Sequence, residues 1–435
     1  MTQIPRSAAL PVLALLCHAL FAGWVVDRTA NAQASQQASK GRPLKRSDFK
    51  QKWRFDRYTK NDPEALARAG YVAYYPFPFG EHGGKPTTTK DIELNVAGVK
   101  LLWVETAHFR IGSALRPFPI PASDRTLRKK LEVELTKLKK KIPSVNPKTR
   151  KLDRWLRLHL FAQRCEETYE DFSKRLQVTE ASFPKTRATL MKGKYMGEGP
   201  YLGQQGKYLV IMFDKSSDYV RFLATFIGRT EPIAQRWNFK TVGSQIFATA
   251  ADLDNGELRK DTRMHCHIVW NVVHNLINGY RFYAYDLPVW FNEGMAHWYS
   301  RRVSEKYALD FDQNESAHAK LINDSKWRPR ARRWLAGKKF RSVSGLLTLR
   351  DFGQLTKYDH IQAWSLCDML MSEGDEKWRV YMNVIKGYID PKSHRAAARE
   401  VLNLQRKGLK KAYGLSPLKL GEKWKVYVRK EYPLR

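Results

Sequence analysis

The sequence predicts an α+β protein, with a small mixed sheet followed by a mainly α-helical C-terminal region. Three observations carry this. Tyr208–Phe213 is an unbroken apolar run of strand length, with a helical pattern over Tyr219–Ile227 behind it. Arg263–Ser300 reads as two apolar helices joined by a short connection. After Arg301 the pattern is largely helical. A chain of 435 residues can bury a sizeable core and hold more than one domain. The expected division is a signal segment over 1–32, an accessory region over 33–190, a central unit over 191–310 and a helical domain over 311–435.

Residues 1–32 have the features of an export signal. Arg6 precedes an apolar stretch from Ala8 to Val26, and Ala30-Asn31-Ala32 is a small-residue cleavage site. An exported protein, periplasmic or extracellular, is therefore expected. The apolar run is nearly long enough to span a bilayer, so an uncleaved anchor is the alternative and the one route to a membrane. Gln33–Lys45 is polar and reads as a linker. Phe49–Thr89 alternates proline with aromatics around Tyr74–Gly80, which suggests an extended arm. Asp91–Val99 and Lys100–Ile111 alternate as two strands with a hairpin through Gly98. Leu127–Lys141 has Leu131, Leu135 and Leu138 on one helical face, and Ile142-Pro143 ends it. Arg150–Val178 is a longer helix through Trp155, Leu158, Phe161 and Tyr169. Ser244–Ala250 is a further strand. Leu346–Leu355 and Ile361–Met371 are helical.

The formal charge is +34. Nucleic acid is the usual partner of so basic a surface, but an exported protein rarely meets it. Anionic envelope polymers are better candidates, and a solubilising surface without a specific partner is the plain alternative. The densest basic stretch holds thirteen lysines and arginines between Arg125 and Arg157. Beyond the signal the cysteines are Cys165, Cys266 and Cys367, far apart and odd in number. That excludes a disulfide framework and a zinc ribbon, and allows one bridge at most.

The second motif helix contains Pro288-Val289-Trp290-Phe291-Asn292-Glu293-Gly294-Met295-Ala296, and eighteen residues separate His274 from Glu293. This segment resembles the Pro-x-Trp-x-Asn-Glu-Gly-x-Ala helix of the gluzincin metallopeptidases. Their pattern is His-Glu-x-x-His, eighteen residues, then Glu. Tyr358–Trp364 and the closing stretch from Tyr413-Gly414 through Trp424 to Tyr427 are similar to segments of the helical domains in that superfamily. So the resemblance runs from Tyr208 to the C-terminus and is specific around Leu287–Ala296. It implies a zinc hydrolase scaffold, with Ser244–Ala250 as the edge strand of the substrate cleft and His360 or Tyr358 placed to stabilise an oxyanion. The first half of the motif departs from the family, because Trp270-Asn271 stands where the family has His-Glu.

On a helix, residues i and i+4 share a face, so two imidazoles there can converge on one ion. The second helix supplies the third ligand, water fills an open fourth position, and a glutamate takes its proton. An indole nitrogen only donates, so Trp270 cannot ligate zinc, and Asn271 cannot act as a base. His274 and Glu293 alone make a weak metal site. Equally, they could be a buried hydrogen-bonded pair in a helical core. His265 and His267 diverge by roughly 200° on a helix, and His267 stands about 10 Å from His274 along the axis, too far to share an ion. His297 follows Glu293 by four and lies on its face, so a relocated site of His274, Glu293 and His297 is geometrically conceivable.

Three functions follow as expectations. The favoured one is a catalytically degenerate, gluzincin-like exported protein that binds a peptide or an anionic envelope polymer, with no cofactor and no peptide cleavage. The second is an active zinc peptidase using His274, Glu293 and His297. The third is a basic polymer-binding protein working through the Arg125–Arg157 stretch.

Overall fold

In the computed structural model, residues 50–186, 195–284, 287–308, 310, 325–387 and 400–434 are described. The signal segment and the Gln33–Lys45 linker lie outside these residues. The strands are β1 (Tyr71–Ala73), β2 (Pro78–His82), β3 (Lys85–Thr88), β4 (Leu102–Thr106), β5 (Phe109–Ser113), β6 (Phe118–Pro119), β7 (Lys151–Leu152), β8 (Tyr208–Phe213), β9 (Gln235–Phe239) and β10 (Ser244–Ala250). Six of them form one mixed sheet in the order β1-β4-β5-β8-β10-β9. β5, β8 and β10 run parallel, and the outer pairs are antiparallel. Every residue of β8 and β10 is buried, as expected of parallel strands covered on both faces. The sheet draws strands from both sides of residue 190.

Several sequence expectations are corrected here. Residues 50–89 are not an extended arm. They hold the helix α1 (Pro63–Ala69), capped by the Asp62 side chain, then β1 and the β2–β3 hairpin. The aromatics do pack, with Phe79 edge-on to Trp103 at 5.0 Å. Asp91–Val99 is not a strand. The helix α2 (Thr89–Asn95) occupies it, because Thr88 and Asp91 cap each other reciprocally and Ile92 is buried. The hairpin turns instead at Ala107-His108, between β4 and β5. Ser244–Ala250 is not the edge strand. β9 lies outside it, antiparallel, with Trp237 opposite Ile246. The half-exposed Gln235-Arg236-Trp237-Asn238 has no apolar alternation to reveal it as a strand.

The helix α3 (Arg125–Lys141) buries Leu131, Leu135 and Leu138 as its period requires. α4 (Arg154–Leu176) starts four residues later than expected, at the Asp153 cap, since Lys151–Leu152 pairs with β6. α4 packs under β4 and β5 and against α6 (Asp261–Gly279). α5 (Ser216–Phe226) follows β8. α7 (Val289–Val303) lies between α6 and α10 (Lys357–Ser372). α8 (Trp327–Ala336), α9 (Val343–Leu347), α11 (Asp375–Ile385), α12 (Val401–Tyr413) and α13 (Pro417–Glu431) complete the helical C-terminal part.

The buried Lys386 amine donates to Asn278 O at 2.9 Å and Phe282 O at 2.6 Å at the C-terminal end of α6, and burial pushes its pKa well below the usual value. Cys165, Cys266 and Cys367 are buried and unbridged. Among the described residues no helix is long and apolar enough to cross a membrane.

Candidate functional site

α6 is buried along its whole length and packs against β10, α4 and α7. Its successive i+4 positions Asn271–Asn275 and Trp270–His274 therefore meet protein on every side. Trp270 and His274 share a face, with ring centroids 4.4 Å apart and planes at 66°. The indole stands beside the imidazole, where the first motif histidine would project. It also lies 6.2 Å from the His297 ring, and the Arg236 guanidinium of β9 covers it at 4.8 Å. Asn271 donates to His267 O at 2.8 Å and accepts from Arg236 at 2.9 Å. Asn271 is thus a neutral amide engaged in structure.

His274 and Glu293 face each other across α6 and α7, with Nε2 to Oε1 at 3.4 Å. The eighteen-residue gap does bring them together. Glu293 turns its other oxygen toward His297 Nε2, at 3.5 Å, and His360 Nδ1, at 3.7 Å. His297 and His360 approach at 3.1 Å. Glu293, His297 and His360 form a buried group whose ligand atoms all lie within 4.8 Å of one another and could hold a metal ion. The three-residue set expected from sequence, His274, Glu293 and His297, is not the one that closes. His274 serves the opposite carboxylate oxygen, and His360 takes the third place. His274, Glu293 and His297 are 0% exposed and His360 is 1% exposed, so the group is closed to solvent.

His360 reaches this place from the first turn of α10. Thr356 and Asp359 form a reciprocal capping box there, and Arg341 grips Asp359 with two bonds of 3.0 Å. Gly294 lets α10 approach. A side chain at that position would put its Cβ 2.5 Å from Ala363 O and 2.6 Å from Cys367 Sγ. The glycine of the Asn-Glu-Gly segment is thus a helix-contact residue beside the carboxylate. Tyr358, the other oxyanion candidate, packs edge-on against Trp334 at 4.6 Å and is not part of the group.

Burial holds the His274 imidazole well below its ordinary value, assisted by the Arg236 charge and the His297 ring. Burial does the same to His297, with His360 and Arg301 adding to it. Both rings are thereby favoured in the neutral form, the one that ligates metals. The walls are aromatic: Trp327 faces His297 at 5.0 Å, and Phe352 faces His274 at 5.9 Å.

His265 and His267 leave α6 in different directions. His265 lies 3.7 Å from Glu134 of α3. His267 bonds Asp310 at 2.6 Å and Thr249 at 3.1 Å. His108 sits in the β4–β5 turn, 2.6 Å from Glu166 and stacked on Tyr169. The basic stretch lines a groove of about 840 Å³ between α3 and α4. Lys130, Lys137, Lys140 and Lys141 form one wall, and Glu167, Glu170 and Asp171 stand among the residues of the other. None of the four clustered side chains lines it.

Sequence reasoning had named His360, but in another role. The signal that could have placed it is Thr356-x-x-Asp359, which starts a helix just before it. Compared with known proteins, the chain matches no family model and no curated sequence.

Proposed function

We propose that this protein is a catalytically silent gluzincin-like protein, exported, whose work is binding. One observation carries the reading. The motif helices pair through His274 and Glu293 at 3.4 Å, while Trp270 stands in the first ligand's place at 4.4 Å from His274. A hydrolase needs an open coordination position and a base beside it. Here the centre is closed, and Asn271 is tied to Arg236 and the helix backbone. These points also weigh against an active peptidase using His274, Glu293 and His297.

The net charge of +34 and the lysine wall of the α3–α4 groove favour an anionic envelope polymer as partner. A peptide in the same groove is the other candidate, favoured by its acidic wall.

The test has two arms. Purified protein given zinc should cleave no peptide of a mixed library. It should bind a polyanion with an affinity that falls steeply between low and high salt. Cleavage lost on His297→Ala would overturn the silent reading, and salt-independent binding would remove the polyanion.

A further inference from the structure

The three donors facing one another in the buried group have an unusual spacing. His297 Nε2, His360 Nδ1 and Glu293 Oε2 are separated by 3.1, 3.5 and 3.7 Å. A point equidistant from all three lies about 2.0 Å from each, which matches zinc–nitrogen and zinc–oxygen bond lengths of about 2.0–2.2 Å. With bonds of about 2.1 Å an ion there would stand about 0.6 Å out of the plane of its three donors. Neighbouring donors of a tetrahedral zinc lie about 3.4 Å apart, again within the observed range.

We propose that Glu293, His297 and His360 form a closed, non-hydrolytic site for a divalent ion of the zinc class, with His274 holding the carboxylate from behind. His274 Nε2 faces Glu293 Oε1 at 3.4 Å, while Oε2 faces the two donor rings. That is the position of a residue that orients a ligating carboxylate. The imidazoles therefore exchange the expected roles, while Glu293 keeps its place as a ligand. His274, the motif histidine, becomes the positioning residue. His297 and His360, which the motif does not count as ligands, become ligands.

The chemical class follows from the donors. Two imidazoles and one carboxylate are borderline ligands that suit zinc, and cobalt as its spectroscopic stand-in. Calcium and magnesium take six or more oxygens, which the group does not offer. The role is structural. The ion joins α7 to α10, and the four side chains around it are 0–1% exposed, away from bulk solvent. The inference uses only the donors' positions, so it stands or falls apart from the gluzincin reading. It replaces the expectation of a metal-free centre.

The experiment is metal counting on the full-length protein, purified without chelator, stripped, and titrated with Zn²⁺ and Co²⁺. The wild type should take up one ion per chain, with the visible spectrum of low-coordinate cobalt, and melt at a higher temperature with zinc than without. His297→Ala and His360→Ala should abolish uptake. His274→Ala should keep one ion, bound about 10- to 100-fold more weakly. Where an alanine variant loses its far-ultraviolet circular dichroism, His360→Gln replaces it, and the zinc-induced melting shift of the wild type reads the site without any mutation. No uptake and no melting shift in the folded wild type would overturn the proposal. So would uptake that survives loss of His360 but not of His274, because the ion would then sit at the metallopeptidase position.

Discussion

Two polar clusters are buried against the same helix, and they are built differently. One joins His267 and Arg263 of α6 to Asp310. Its contacts are short: His267 to Asp310 at 2.6 Å, Arg263 to both Asp310 oxygens at 2.7 Å, and His267 to Thr249 at 3.1 Å. These are hydrogen-bond lengths, and each charge has an opposite charge beside it. The other joins His274, Glu293, His297 and His360. There the carboxylate stands 3.4 to 3.7 Å from three rings, while two of the rings, His297 and His360, meet at 3.1 Å. Both clusters are buried. The first is closed on itself, whereas the second has donors converging on a point between them. Burial alone therefore does not mark a functional site. The contact lengths separate a finished ion pair from a nest of ligands.

The comparison can be broken most sharply by removing one carboxylate from each cluster. Asp310→Ala leaves the buried Arg263 guanidinium with only the exposed Asp254 at 3.1 Å, and should cost about 3–5 kcal/mol in urea unfolding. Glu293→Gln in the stripped protein replaces the carboxylate by an amide of the same shape, and should cost only about 1–2 kcal/mol. Zinc should then stabilise the wild type and not this variant. Equal costs for the two variants in the stripped state would make both clusters ordinary core contacts.

A smaller effect sharpens the second cluster. Gly294→Ala forces a methyl group against Ala363 O and Cys367 Sγ of α10. Overpacking of this kind should cost about 1–3 kcal/mol. Because α10 holds His360 and α7 holds the other two ligands, the same variant should weaken zinc binding more than a surface substitution of equal cost to stability. Unchanged zinc affinity would show that the glycine does not set the ligand spacing.

The mildest test is acid. Burial raises the Asp310 carboxyl, but Arg263 and His267 outweigh it and hold it down to about 2. A carboxyl depressed in the folded state contributes its stability above the unfolded value and loses it as pH falls toward the folded value. The first cluster should therefore lose on the order of 2 kcal/mol between about pH 4 and pH 2. A stability profile flat across that window, or unaltered in Asp310→Asn, would contradict the pairing.

Much of the fold was legible where one chemical period dominated. β8 spans the apolar run read from the sequence, and α3 ends at Ile142 as its pattern said. Thr89–Asn95 was misread because weak alternation was weighed above a capping pair. β9 was missed because a half-exposed antiparallel edge strand need not alternate. In the site, the facing of His274 and Glu293 came from the spacing of the motif, and the nearness of His297 to Glu293 came from the helical repeat.

The sequence by itself determined the helices and which residues share a face, since covalent geometry fixes positions four apart on one turn. It also determined that Trp270 and Asn271 cannot ligate or act as a base. Only the tertiary structure decided which three donors converge. His360 is far from Glu293 in the chain, and its place depends on how closely α10 settles on α7. That distance is set by the bare Cα of Gly294 and by the capping box at Thr356, and no local pattern encodes the contact they permit.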